Sequence, residues 1–339
     1  MPERAATPGA AAPGAARGVV AVVVTYRPDL ESTTALLTAL VPQVASLVVV
    51  DNGSGRATVE ALRSAARALG AHVLPMGTNQ GIAAAQNAGI DWARGEGAAF
   101  VLLSDQDSLP HPDMVERLLA GFDRATADTI AGRRPPVAAV GPVTVDARNE
   151  GAALLFSAQR WGPRRATLPA EDGALVEAAF LIASGCLVST DALAAVGPMN
   201  DAWFIDHIDL EWGLRARRAG YAVYGVVGAG LDHALGDRTQ RIPGRERDVH
   251  IHSPERNYYM ARNTVLLIRS GLMSAWWRWG YAGWITKYSV FYVLAVPPRA
   301  RRAALLARGL WHGVRGRTGP LEHRAQTARP TAPQDRRTP

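Results

Sequence analysis

Two carboxylates two residues apart, in Asp105-Gln106-Asp107, follow directly on the apolar run Phe100-Val101-Leu102-Leu103. If that run is a strand, Asp105 and Asp107 project in the same general direction and can hold a divalent cation through hard oxygen ligands. Such a cation offsets the charge of a diphosphate and stabilises it as a leaving group. A bare Asp-x-Asp is also common in turns, so its position after a buried strand is what gives the pair weight. Asp51 stands at a similar point in Val50-Asp51-Asn52-Gly53-Ser54, where it can accept from a ribose or a base edge, or close an Asx turn. No Gly-x-Gly-x-x-Gly, Gly-x-x-x-x-Gly-Lys-[Ser/Thr] or Gly-x-Ser-x-Gly follows any apolar run, which removes the usual dinucleotide, P-loop and hydrolase sites. The lone Cys186 has no partner motif and reads as a small buried hydrophobe. One cysteine also excludes a disulfide framework and a cysteine zinc cluster, which makes a reducing, cytoplasmic setting the default.

These residues need strands that end at one edge. Residues 19–25 and 47–50 are β-branched runs of the kind buried on both faces of a sheet, and 72–75 and 100–103 are shorter ones. Helical spacing fills the intervals 30–43, 59–69 and 82–92. Strand and helix in strict alternation predict right-handed crossovers and a parallel sheet covered on both sides. The polar residues Thr25-Tyr26, Asp51-Asn52, Asn79 and Asp105 to Asp107 each follow an apolar run, and in such a sheet those ends line the ligand crevice. The second half is less regular, with β-like runs over 137–145, 176–183 and 222–227 and a helix over 210–219.

The segments Thr25-Tyr26-Arg27-Pro28, Val50 to Ser54, Asn79-Gln80-Gly81 through Asn87, and Ser104-Asp105-Gln106-Asp107-Ser108, with Phe204-Ile205-Asp206-His207-Ile208-Asp209-Leu210-Glu211-Trp212 later, occur in one order over residues 18–270. Together they resemble family 2 glycosyltransferases of the GT-A fold, most closely bacterial rhamnosyltransferases that use dTDP-L-rhamnose. The resemblance implies that Thr25, Tyr26 and Asp51 hold the nucleotide and that Asn79 and Asn87 lie beside the sugar diphosphate. It implies a divalent metal, Mg2+ or Mn2+, on Asp105 and Asp107, with His233 in Leu231-Asp232-His233 completing the site; taken alone, His233 reads as a surface histidine. Ser184-Gly185 matches a small turn that approaches the donor, or is simply a tight turn. Inverting transfer needs a carboxylate to take the acceptor's proton. Many family members have Glu-Asp where this chain has Asp206-His207, so the base is Asp206 or Asp209, three residues apart on one face of a helix start. Helix capping is the competing role for Asp206.

From Pro298 onward the chain carries ten arginines against Glu322 and Asp335, which leaves the preceding body near neutral. A nucleic-acid reader spreads its charge over a folded face, so no nucleic acid is expected. Five of the nine tryptophans lie beyond residue 270, and the apolar stretch 276–296 is broken by Arg278 and Lys287. It is too interrupted to span a bilayer, but such a helix can lie in a membrane interface, with Arg299, Arg301, Arg302 and Arg308 meeting anionic lipid. Packing on the domain is the alternative. The expected organisation is a disordered leader over 1–17, an α/β GT-A (Rossmann-like) nucleotide-sugar-binding domain over 18–270, C-terminal membrane-associating helices over 271–314 and a disordered basic tail over 315–339. The expected activity is transfer of L-rhamnose to a cell-envelope glycan or lipid-linked acceptor, by an enzyme peripheral on the inner face of the cytoplasmic membrane. A UDP-hexose donor and a non-catalytic glycan scaffold are the alternatives.

Overall fold

The first valine-rich run becomes β1 (Ala16–Thr25), which starts two residues inside the expected leader. Its side chains alternate faces: Val20, Val22 and Val24 enter one core, while Val19, Ala21 and Val23 enter another. β2 (Val44–Asp51) and β4 (Phe100–Asp105) flank it in parallel, and β3 (His72–Pro75) extends the sheet beyond β2. The crossovers between them carry α1 (Leu30–Leu40), α2 (Arg56–Ala68) and α3 (Ile82–Gly95). Asp29 caps α1 by accepting from the Ser32 amide at 2.8 Å. α3 lies so close to the sheet that a Cβ on Gly89 would come within 2.2 Å of Val22 Cγ1. The parallel register sets the strand ends level, pairing Thr25 with Asp51 and Val24 with Asp105. The polar residues therefore emerge along one edge.

The computed structural model describes residues 16–143, 145–146, 152–153, 155–233, 238–240 and 249–321. The rest of the expected leader and the tail beyond residue 321 lie outside these. After β5 (Ser108–Pro110) and α4 (Met114–Ile130), the sheet continues in β6 (Val137–Pro142). Two short antiparallel pairs follow, β7 (Val145–Asp146) with β8 (Ala152–Ala153) and β9 (Phe156–Gln159) with β10 (Gly162–Arg165). The one strand expected over 176–183 is instead β11 (Leu175–Ala178), and the chain re-enters the sheet as β12 (Cys186–Ser189). With β13 (Ala222–Val226), the strand order is β11-β13-β6-β12-β4-β1-β2-β3. β12 runs antiparallel to both β4 and β6, so the sheet is mixed rather than parallel throughout. Gly185 makes the re-entry with φ +80°, where a Cβ would meet the Pro142 ring at 2.7 Å. The reversal sets the start of β12 beside the end of β4, with Cys186 opposite Leu103.

α5 (Thr190–Val196) and α6 (Ile208–Arg218) complete the layer on one face. β14 (Leu231–His233) pairs with β5, and β15 (Arg238–Gln240) pairs with β16 (Val249–Ile251). The chain then forms α7 (Pro254–Arg269), α8 (Ala275–Ala295) and α9 (Arg299–Val314). α9 presses on α7 through glycines: a Cβ on Gly309 would lie 2.4 Å from the Tyr258 carbonyl oxygen. Ala261, Ile285, Tyr292, Val296 and Leu306 form a core of their own among these helices. α8 is thus packed on one side, with Trp277 and Tyr292 buried, while Trp276, Trp279 and Leu294 stay exposed. Arg302 does not reach the surface as expected; it is buried and donates to the carbonyls of His252 (2.8 Å) and Pro297 (3.1 Å). Arg301 pairs with Glu255 at 2.5 Å. No helix among the described residues is long and apolar enough to cross a membrane.

Candidate active site

A cavity of about 630 Å³ opens along the strand-end edge, between β1, β2, β4, the start of α3 and the turn before α6. Of the residues expected to act, Tyr26, Asn79, Asp105, Asp107, Asp206 and Asp209 line it. Asn52, Gln86, Gln106 and Arg256 join them.

At one end the strand termini are tied together by their own polar side chains. Thr25 and Asp51 are fully buried behind the lining. Asp51 closes an Asx turn, its Oδ2 accepting from the amides of Gly53 (3.2 Å) and Ser54 (3.0 Å), while Thr25 Oγ1 donates to Oδ1 at 3.4 Å. Asn52 Oδ1 accepts from the Gln80 amide at 2.9 Å, and its Nδ2 donates to Asn79 Oδ1 at 3.2 Å. Asn79 Oδ1 also accepts from the Gly81 amide at 3.0 Å. Gln106, the middle residue of the carboxylate pair, accepts from the Tyr26 amide at 2.8 Å and so joins the β4 terminus to the β1 terminus.

The acidic end is built around a strained turn. Phe204, Asp206 and His207 all have φ between 64° and 69°, which is costly for residues that carry a Cβ. The surrounding structure over-determines the turn. Asn263 Nδ2 donates to the carbonyls of Trp203 (3.0 Å), Ile205 (2.7 Å) and Asp206 (3.0 Å), and the fully buried Arg262 reaches Trp203 O at 2.7 Å. Gly81 packs so tightly here that a Cβ would sit 2.5 Å from Phe204 O, and the Ile82 amide donates to that oxygen at 2.8 Å.

This turn sends successive side chains to opposite sides. Asp206 faces the cavity, its Oδ1 accepting from Arg256 Nη2 at 2.7 Å. His207, at the place where the family resemblance would put an Asp, points away, with Nε2 2.9 Å from Thr264 Oγ1. That hydroxyl donates to Met260 O at 2.7 Å, so it accepts from His207 and the imidazole carries its proton on Nε2. Burial holds the His207 pKa down to about 4. The ring lines a second cavity of about 590 Å³ with Phe180, Tyr281 and Trp284. Asp209, in the first turn of α6, faces the main cavity and accepts from the Ala183 amide at 3.3 Å. Burial, then the nearby Asp105 charge, pushes its pKa up to about 7, against the opposing Ala183 hydrogen bond. Glu211 is buried and paired with Arg215 at 2.9 Å, which occupies it structurally.

Other expected residues lie outside the lining. Asn87 exchanges two hydrogen bonds of 2.9 Å with the Met199 backbone and so braces the loop before α6. Ser184 Oγ donates to Asp105 Oδ2 at 2.6 Å and orients that carboxylate, with Gly185 making the turn beneath it. The backbone of His233 lies opposite Ser108, next to Asp107 in the chain; its side chain lies outside what is described. Cys186 is buried and desolvation raises its thiol pKa, as expected for a core position. Among the described residues no three His, Cys, Asp or Glu side chains form a closed metal cluster. The donor set still fits a divalent cation: Asp105 and Asp107 offer hard oxygens at the cavity edge, and the upward push of Asp105 on Asp209 is an excess of negative charge that a cation relieves. Gln86 and Gln106 lie within the family motifs and Arg256 lies beyond them in α7; none of the three stands out by residue type in the sequence.

The eight-stranded mixed sheet with its carboxylates at the strand-end cavity is a GT-A-like α/β fold. A sequence profile described as "Glycosyl transferase family 2" matches residues 20–195. The chain is 32% identical over 251 residues to "dTDP-rhamnosyl transferase RfbF" of Shigella flexneri, covering 74% of this chain and 80% of that one. Among solved structures, it resembles the mannosyltransferase PcManGT of Pyrobaculum calidifontis in complex with GDP-Man and Mn2+ (TM-score 0.50, 18% identity, 86% of this chain and 74% of that one). It likewise resembles S. aureus TarS 1-349 in complex with UDP-GlcNAc (TM-score 0.50, 14% identity, 88% and 92%). The chain belongs to glycosyl transferase family 2 and is a glycosyltransferase with a nucleotide-sugar donor.

Proposed function

We propose that this enzyme transfers L-rhamnose from dTDP-L-rhamnose, with inversion, to a hydroxyl of a cell-envelope glycan or its lipid-linked precursor. The observation that carries the chemistry is the convergence of Asp105, Asp107, Asp206 and Asp209 on one strand-end cavity. The donor assignment leans on the 32% identity to a dTDP-rhamnosyl transferase. Asp105 and Asp107, with His233 from the adjoining strand, are the residues to hold Mg2+ or Mn2+. When bound, that ion neutralises the departing diphosphate. Asp209 is the base: it faces the cavity from a helix start, and no arginine among the described residues pairs with it, whereas Asp206 is held by Arg256. The acceptor oxygen attacks the anomeric carbon, its proton passes to Asp209, and the bond to the diphosphate oxygen breaks. Asp206 and Arg256 shape the wall on which the sugar rests.

Calorimetry with dTDP-L-rhamnose, UDP-glucose and UDP-galactose, each with MnCl2 and then with EDTA, tests the reading. Tightest binding is expected for dTDP-L-rhamnose, at least tenfold weaker in EDTA; a preference for a UDP-hexose overturns the donor, and indifference to EDTA overturns the metal. We also propose that the enzyme sits on the inner face of the cytoplasmic membrane through the exposed side of α8, where Trp279 and Leu294 stand uncovered and Trp276, packed on Trp161 and Arg160, is half-exposed.

A further inference from the structure

We propose that Gln86 holds a hydroxyl of the transferred sugar and so selects the donor sugar, an assignment that rests on the donor-binding reading above. Gln86 is 2% exposed, it lines the cavity, and its Oε1 has no hydrogen-bond partner among the described residues. Native structures leave few buried acceptors unpaired, because burial strips their hydration without replacing it. Asp206 Oδ2 is a second buried oxygen on the same cavity without a partner among the described residues, its Oδ1 being the atom that Arg256 holds. Two unpaired acceptors call for a ligand that brings O–H or N–H groups to this wall. Diphosphate oxygens only accept, so the diphosphate satisfies neither.

Gln86 shares its cavity wall with Asp206. Ile82, one turn earlier on the same face of α3, donates its amide to Phe204 O, and Asn87 is braced to Met199. Gln86 therefore stands one helical turn from the loop that carries Asp206, on the α3 face whose Gly89 packs on Val22 of β1. A sugar hydroxyl both donates and accepts, so it pairs with the amide in either orientation.

Replacing Gln86 by methionine keeps the bulk and removes the polar atoms. With MnCl2 present, Gln86→Met is expected to bind dTDP-L-rhamnose about tenfold more weakly than wild type. Its affinity for dTDP, which lacks the sugar, should stay within about twofold. Without ligand, the thermal midpoint should hold or rise by about 2 °C, because an unsatisfied buried group has been removed. An equal loss for dTDP and dTDP-L-rhamnose, an unchanged affinity for the sugar nucleotide, or a clear fall in the midpoint overturns the proposal. A wild type that prefers UDP-glucose or UDP-galactose overturns the donor assignment alone, and the same variant is then compared on that nucleotide sugar and UDP. Failure of the wild type to bind any nucleotide sugar overturns both.

Discussion

Asp206 and Asp209 are three residues apart and face the same cavity, yet their surroundings prepare them for different tasks. Arg256 donates to Asp206 at 2.7 Å and ties that carboxylate to the cavity wall. Asp209 has no cationic partner among the described residues of the lining, and burial, then the nearby Asp105 charge, raises its pKa to about 7. A base must be deprotonated to act, so turnover should fall about tenfold per pH unit below the inflection and level off above it. The inflection belongs at about 7 or somewhat lower, since a cation on Asp105 cancels that residue's share of the upward push. Asp209→Asn should lower turnover by about 10²- to 10⁴-fold and abolish this acid limb, while dTDP-L-rhamnose still binds. Steady-state rates from pH 5.5 to 8.5, with calorimetry of the variant, check it; a loss of only a few-fold moves the base to Asp206.

At the scale of elements, the turn of residues 204–207 is held by α7 rather than by its own sequence. One amide group, Asn263 Nδ2, serves three carbonyls with two hydrogens, so at least one hydrogen is shared between two acceptors. Asn263→Ala removes the side-chain donor to the Ile205 and Asp206 carbonyls, while Trp203 O keeps Arg262, and releases three residues from positive φ. The expected cost is about 2–4 kcal/mol in urea unfolding. Turnover should drop by about tenfold or more while dTDP affinity stays within a few-fold, because Asn52, Asn79 and Gln106 do not depend on α7. Parallel losses in dTDP affinity and turnover would mean that the turn also shapes the nucleotide end. The early motifs sit on elements whose sequence signature is local, which is why the strand ends were legible. β12 was not, because the apolar stretch 176–183 hides the break at which the chain reverses, and only Gly185 hints at it.

For the whole molecule, the C-terminal helices serve two neighbours at once. Their inner side is core, with Arg302 and Tyr292 buried, so removing everything after residue 275 would expose α7 and report on folding more than on lipid. Point substitutions on the outer side are cleaner. Trp279→Ser and Leu294→Ser together should abolish flotation with phosphatidylglycerol-containing vesicles and leave the thermal midpoint within about 3 °C. Raising salt should weaken wild-type flotation only in part, since salt screens arginine contacts but not indole insertion. Wild-type protein that stays with the soluble fraction at low salt overturns the membrane reading.

The sequence by itself determined the alternating α/β half, the level strand ends and the family motifs upon them, because β-branched runs, helical spacing and turn residues act over a few neighbours. It could not say which side of the backbone each acidic residue would take. Asp206 and His207 part ways through positive φ values that Asn263, 57 residues from Asp206, enforces. Ser184 meets Asp105, and Asn87 meets Met199, across 79 and 112 residues. Arg302 looked like a lipid contact within a basic run, but it packs beneath α8 and is satisfied by carbonyls 50 and 5 residues away. Such pairings depend on sheet reversal and helix packing, where the free energy of satisfying a buried polar group is set by partners far along the chain, and only the tertiary structure could decide them.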